Sequence, residues 1–402
     1  MKEIAIIGGG AAGFFVAANL RKDLACKTII FEQASAPLQK VRISGGGRCN
    51  VSHACFDPSE LVEFYPRGKK ELLSVFHKFQ PGDTMEWFQS RGVALKIEED
   101  NRIFPVSNSS LSIVECLVKT ADENGVEFKF SEAVQKISKT ETGFLLTTIN
   151  AQYEVKKIIF TPGSSPKAME MMRQLGHKIV RPVPSLFTFN IQDRRLKDLM
   201  GISFESASIS IPDLKLESDG PLLITHWGLS GPGILKLSAW GAIALNELNY
   251  EFKIKLNLIQ KEKEECELYL NQLKSEEAKK HIYKFNPFSF PKRFWYRILE
   301  ILEIPAELTY SNLRKDQLSK IAEQLTEAVY SVKGKSTFKD EFVTAGGVDL
   351  KEINFKNMES KIVPGLFVAG EILNIDAITG GFNFQACWSE GSLIANHLNS
   401  VI

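Results

Sequence analysis

The stretch Ile4-Ala5-Ile6-Ile7-Gly8-Gly9-Gly10-Ala11-Ala12-Gly13 decides the fold. Its first four residues are apolar and read as a buried parallel strand. Glycines then stand at positions one, three and six of the segment 8–13, and Phe14 to Leu20 continues as an apolar, alanine-rich helix. In that context Gly8 permits a tight turn, Gly10 lets backbone approach a diphosphate, and Gly13 lets helix lie against strand. The free N–H groups and positive dipole end of the helix would receive the phosphates. A second apolar strand, Thr28-Ile29-Ile30-Phe31, ends at Glu32. An acid there accepts hydrogen bonds from ribose hydroxyls and repels a 2′-phosphate, which disfavours NADP at this site. Strand, glycines, helix, strand and acid in order predict a bound adenine dinucleotide. The alternative is a glycine-rich turn in an α/β domain without a ligand.

The chain of 402 residues is long enough for two or three domains. Its 49 basic and 48 acidic residues give a net charge of +1, which argues against a dedicated nucleic-acid or anionic-membrane surface. No apolar run approaches the roughly 20 residues that span a bilayer, and a core strand at residue 4 leaves no room for a signal peptide. The cysteines, Cys26, Cys49, Cys55, Cys116, Cys266 and Cys387, form no CxxC pair. Free thiols suit a reducing cytoplasm. His53, His77, His177, His281 and His397 show no ligand spacing, so no metal site is expected.

Along the chain, 38–56 is polar and holds three consecutive glycines, Gly45-Gly46-Gly47, which suit a loop passing close to a flat or charged ligand. A flexible hairpin tip is the plainer alternative. Helices are predicted over 70–93, 111–124 and 168–175. Strands are predicted at 126–130, 133–138 and 144–149, forming a small antiparallel sheet, and 155–160 returns to the main parallel sheet. From Leu186 to Leu258 the pattern becomes β-rich, a barrel or sandwich inserted into the nucleotide domain. Helices follow at 261–275, 292–302 and 314–327. The apolar run Leu366–Ala369 then leads to Gly370-Glu371 at the strand edge where α/β sheets bind ligands. Gly380-Gly381 precedes a last helix, about 384–398, whose dipole would face a flavin's pyrimidine carbonyl.

These motifs resemble a known family. IIGGGAAG (6–13), KVRISGGGRCN (40–50), NRIFPVS (101–107), THWGLSGP (225–232), TAGGV (344–348) and GLFVAGEILNIDAITGGFNFQACWSEG (365–391) are similar to the BaiN/YhiN-like NAD(P)/FAD-dependent oxidoreductases. They span nearly the whole chain in order. The resemblance implies an α/β fold, a glutathione-reductase-type FAD-binding Rossmann-like domain interrupted by a β-barrel and a helical subdomain. The expected parts are 1–186 with 336–402 for FAD, 187–259 with 328–335 for the barrel-like insert, and 260–327 for the helices. It implies that Gly8, Gly10, Gly13 and Glu32 hold diphosphate and ribose, and that Arg42 and Gly45–Gly47 approach FAD. Glu371 would lie near the pyrophosphate or ribitol, and Gly381, Phe382 and Asn383 near the flavin ring. The candidate cofactor set also takes in Ala11, Ala12, Gln33, Ser44, Val134, Thr161 and Gly370. One departure is the segment Phe160–Pro166, shorter and more proline-punctuated than the family's glycine-rich loop.

FAD makes hydride or two-electron transfer the expected chemistry. A second strand–GxGxxG–helix unit is lacking, so NAD(P)H is expected only as a transient reductant docking on the flavin. The catalytic candidates are His226, which could titrate near neutrality, Arg48 as an anion anchor, and Cys49 facing the flavin. Two have a structural counterpart: a backbone-satisfied turn histidine for His226 and a buried thiol for Cys49. The expected protein is an FAD-dependent oxidoreductase acting on a small molecule, with no nucleic acid and no membrane as partner. A flavin-dependent RNA-modifying enzyme and a non-catalytic flavin sensor or scaffold are the alternatives. The sequence leaves substrate and oligomeric state open.

Overall fold

The computed structural model describes residues 2–24, 26–336 and 343–402. The chain divides into two compact units, residues 1–184 with 339–402, and residues 185–338. The opening stretch forms the strand Lys2–Ile7, and Ile4, Ala5 and Ile6 are at most 1% exposed. Burial on both faces is what a continuous apolar run needs, and it comes from the strand's central place. Its neighbours, Cys26–Phe31 and Lys157–Phe160, both run parallel to it. Outside these lie Glu127–Lys129 and Leu366–Val368, also parallel. Two short antiparallel strands, Glu359–Ser360 and Ile353–Asn354, complete the seven-stranded sheet.

Helix Ala11–Asn19 lies over this sheet beside the C-terminal helix Phe382–Val401. Small residues allow the approach: a methyl placed on Gly391 would sit 3.2 Å from the Ala12 carbonyl oxygen and 3.4 Å from Phe15. The aromatic contacts Phe15–Trp388 and Phe15–Trp87 fill the space alongside, with ring centroids 5.2 and 4.7 Å apart.

Local structure departs from expectation in three places. The segment 70–93 is two helices, Lys69–Phe76 and Pro81–Gln89, because Pro81 starts a new helix at its first position and Gln80 caps it. Segment 126–130 belongs to the parallel sheet, with Phe128 packed on Phe14 at 5.4 Å. The antiparallel sheet instead comprises Val134–Thr140, Gly143–Thr148 and Gln152–Val155. Finally, the glycine-rich 38–56 segment opens with a helical stretch, Gln39–Gly47, which leaves helical geometry at Ser44 and turns through left-handed Gly45 and Gly46.

The second unit holds a seven-stranded antiparallel sheet in the order Ala328–Lys333, Glu251–Asn257, Ser203–Ile211, Leu216–Ile224, Gly228–Ser230, Thr188–Asn190, Lys335–Ser336. Its two end strands are consecutive in sequence, joined at Gly334 with φ +95°, so the sheet curls back on itself as a barrel. Helices Lys263–Glu276, Lys292–Ile301 and Lys315–Thr326 share one hydrophobic cluster with it, in which Trp295, Leu270 and Ile321 are fully buried with Ile254 and Ile211. Among the described residues no helix is long and apolar enough to cross a membrane.

Candidate functional site

Both ends of the chain meet at the C-terminal edge of the parallel sheet. The turn after Ile7 is fixed by Gly8 N–H donating to the Phe31 carbonyl, 2.9 Å. Gly13 admits no side chain, since a methyl there would lie 2.2 Å from the Gly8 carbonyl oxygen and 2.7 Å from Thr161 Oγ1. Thr161 Oγ1 is placed to donate to the Gly8 carbonyl, 3.0 Å, and so ties the next strand's end to the glycine turn. Around Gly10, by contrast, there is open space: nothing approaches within 4 Å of where its side chain would begin. Helix Ala11–Asn19 starts at Gly10 with no side-chain cap, leaving its first N–H groups for a ligand.

Glu32 stands beside this turn. Its carboxylate accepts hydrogen bonds from Gly9 N–H and Ala34 N–H, each 2.7 Å. A cavity beside it is lined by Gly8, Glu32, Gln33, Val134 and Pro162. From the other end of the chain comes Gly370, where a methyl would sit 3.4 Å from the Ala12 side chain. Glu371 follows, and its carboxylate pairs with Lys40 at 2.5 Å and accepts Thr344 N–H at 3.1 Å.

A second cluster forms where the C-terminal helix begins. Gly381 is its N-cap, left-handed at φ +94° and without a side-chain cap. A methyl there would lie 2.5 Å from the Ser52 carbonyl oxygen and 2.8 Å from Asn50 Oδ1, so the segment after Gly45–Gly47 presses against the helix start. Gly46 and Gly47 themselves face open space, and the Asn50 Oδ1 atom is buried without a hydrogen-bond partner. Asn383 spends its amide on Ala377, accepting its N–H at 3.0 Å and donating to its carbonyl at 3.2 Å. Phe382 stacks on Phe64 at 4.4 Å, and its carbonyl accepts the Tyr65 hydroxyl at 2.6 Å. The loop before it is anchored by the ion pair of Arg67 with fully buried Asp376.

Two uncapped glycine-led helix starts, open space at Gly10, Gly46 and Gly47, and an orphaned buried amide oxygen at Asn50 fit a dinucleotide carrying a flat ring.

The catalytic candidates fall differently. Cys49 is fully buried, and burial pushes its thiol up to about 12, which leaves no thiolate near neutral pH. Arg48 is engaged, pairing with Glu98 at 2.7 Å with its guanidinium 3.9 Å above the Phe104 ring. Ser44 Oγ donates to the Val41 carbonyl and Arg42 Nε to the Pro37 carbonyl, so both side chains are turned to their own segment. His226 belongs to the second unit and is exposed in a hairpin turn where Thr225 Oγ1 accepts from Gly228 N–H. The sequence reading missed Lys40, Tyr65 and Glu390. It also missed His53, whose ring lies 4.5 Å from Phe382 with Nδ1 3.3 Å from the Gly380 carbonyl oxygen. Glu390 alone left a signal, as an acid inside an otherwise uncharged helix.

The HI0933-like protein Rossmann domain family matches residues 2–397. The chain belongs to that family. The expected BaiN/YhiN-like kinship therefore holds, and the protein is an FAD-dependent oxidoreductase. The chain is 27% identical to the ribosomal RNA dihydrouridine synthase of Escherichia coli strain K12, covering 98% of this chain and 97% of that one. It is 25% identical to the 3-dehydro-bile acid delta(4,6)-reductase of Clostridium scindens, covering 98% of each. The fold is also that of a flavocytochrome c3 fumarate reductase, with a TM-score of 0.51 at 14% identity over 99% of this chain and 78% of that chain.

Proposed function

We propose that this HI0933-like protein reduces a carbon–carbon double bond conjugated to a carbonyl group in a small molecule. The observation that carries this is the pair of full-length relatives. One is named for making dihydrouridine in ribosomal RNA and the other as a delta(4,6)-reductase of a 3-dehydro-bile acid, so two unlike substrates share one reaction type. Bound FAD would supply the hydride, after taking two electrons from a transient NAD(P)H. The chain's own residues would do the holding. Gly8–Gly13 and Glu32 would take diphosphate and ribose, with Gln33, Val134 and Thr161 around the adenosine. Gly370 and Glu371 would sit at the pyrophosphate or ribitol. Gly45–Gly47 would approach the cofactor and Gly381–Asn383 would line the ring, while Arg42 and Ser44, bonded to Pro37 and Val41, would hold the glycine segment from within. Arg48, tied to Glu98 and Phe104, would stiffen the glycine segment. A reducing cytoplasm suits the unbridged thiols of Cys49, Cys55, Cys116, Cys266 and Cys387.

A second reading, reduction of uracil within ribosomal RNA, is favoured by the name of the Escherichia coli relative. One experiment separates them. The full-length protein is reduced anaerobically with NADH or NADPH, and the return of flavin colour is timed with a 4,6-dien-3-oxo steroid, cyclohex-2-enone, or uridine-containing ribosomal RNA. Rapid return with an enone supports the first reading and with RNA alone the second. Return with oxygen only would sink both.

A further inference from the structure

The C-terminal helix Phe382–Val401 carries one acid, Glu390, which is fully buried. Its Oε2 accepts Gly370 N–H at 2.6 Å. Its Oε1 is buried with no hydrogen-bond partner. An ionised carboxylate in such a place would have one donor for two charged oxygens, an expensive arrangement. A neutral carboxylic acid tolerates it, and burial pushes the group up to about 8, against an ordinary carboxyl range near 4.

The titratable groups around Glu390 bring no compensating charge. Cys387, one turn earlier on the same helix and half-buried, is held protonated first by desolvation and then by Glu390. Tyr65, from the segment packed across the helix start, is held neutral in the same way. Beyond the Gly370 turn stands Glu371, already paired with Lys40 at 2.5 Å. Gly370 faces Ala12, to which a methyl on it would come within 3.4 Å, in the first turn of the helix whose N-terminus we assign to the diphosphate.

We infer that Glu390 is a positioning residue, which holds the Gly370–Glu371 turn as a neutral acid and makes retention of FAD depend on its proton. The inference rests on the proposed placing of the cofactor at Gly10–Gly13 and Gly370–Glu371. With the proton on, Gly370 N–H has an uncharged acceptor behind the diphosphate. With it off, a buried anion faces an anionic ligand. Cofactor affinity is therefore flat below about pH 8 and falls above it, by at most about tenfold per pH unit for one linked proton.

The test is release of FAD from diluted full-length holoprotein between about pH 6.5 and 9.5, read by recovered flavin fluorescence, for wild type and Glu390→Gln. The amide keeps an acceptor for Gly370 but cannot ionise, so the variant should hold FAD equally across the range. A wild type that is flat throughout, or a variant that falls just as steeply, overturns the inference. Should the variant not fold, proton uptake decides. Rebinding FAD to wild type near pH 8.5, in two buffers of different ionisation heat, should take up more than about half a proton; no uptake overturns the inference. A protein that binds no FAD at any pH instead defeats the cofactor placing, a distinguishable failure.

Discussion

Glu32 shows how one side chain serves the fold and prepares the site. Its two oxygens already hold Gly9 and Ala34 N–H groups, which fixes the carboxylate at the strand end, where we propose it meets the ribose. Charge-assisted hydrogen bonds of this kind are worth about 1.5–3 kcal/mol. Glu32→Gln should therefore weaken FAD binding by roughly ten- to a hundredfold, measured by fluorescence titration; an unchanged affinity would remove Glu32 from the site. Glu390 makes a different statement, about stability. Its folded-state pKa lies above the unfolded value, so the native state binds the extra proton between about pH 4.5 and 8. Stability should fall as pH rises through that window, at up to about 1.4 kcal/mol per pH unit. Denaturant melts of Glu390→Gln should lack this slope and cross above wild type at the alkaline end.

At the scale of elements, the decisive contact is between the first helix and the last. Ala11–Asn19 and Phe382–Val401 lie together because Gly391 leaves room for Ala12 and Phe15. Gly391→Leu should overpack this contact at about 1–3 kcal/mol, lower the melting temperature by several degrees, and reduce bound FAD in proportion. A variant with normal melting and flavin content would show that the helices have slack. The C-terminal strand and helix were legible from the apolar run Leu366–Ala369 and the glycines before Phe382. The helical opening at Gln39 was not. Its glycines follow it directly, and glycine content read over the whole window hides a short helical turn. The place of strand 127–129 in the parallel sheet is illegible for a related reason. Three residues carry too little pattern to say whether they pair with Phe31 or with the hairpin that follows.

At the scale of the whole molecule, residues 185–338 have their own core, with barrel strands and helices in one cluster. A fragment of residues 185–336 should fold alone, giving a single cooperative melt by circular dichroism and no flavin colour. A fragment that stays unfolded would mean the unit borrows stability from the rest of the chain. Among the described residues, the units are otherwise unlike. One is a parallel sheet under helices and the other an antiparallel barrel.

What the sequence determined by itself was the nucleotide-binding frame. Strand, glycine turn, helix and acid lie within about thirty residues, and each step is a local rule of sterics, apolar period or dipole. It also marked the two chain ends as ligand segments. Only the tertiary structure decided which side chains are free to act. Burial raises Cys49, Glu98 engages Arg48, and the Gly370 turn captures Glu390. The two pairings join residues distant in sequence, 20 apart for Gly370 and Glu390 and 50 for Arg48 and Glu98. Partnership and burial at that range are properties of packing, which no local pattern of residues encodes.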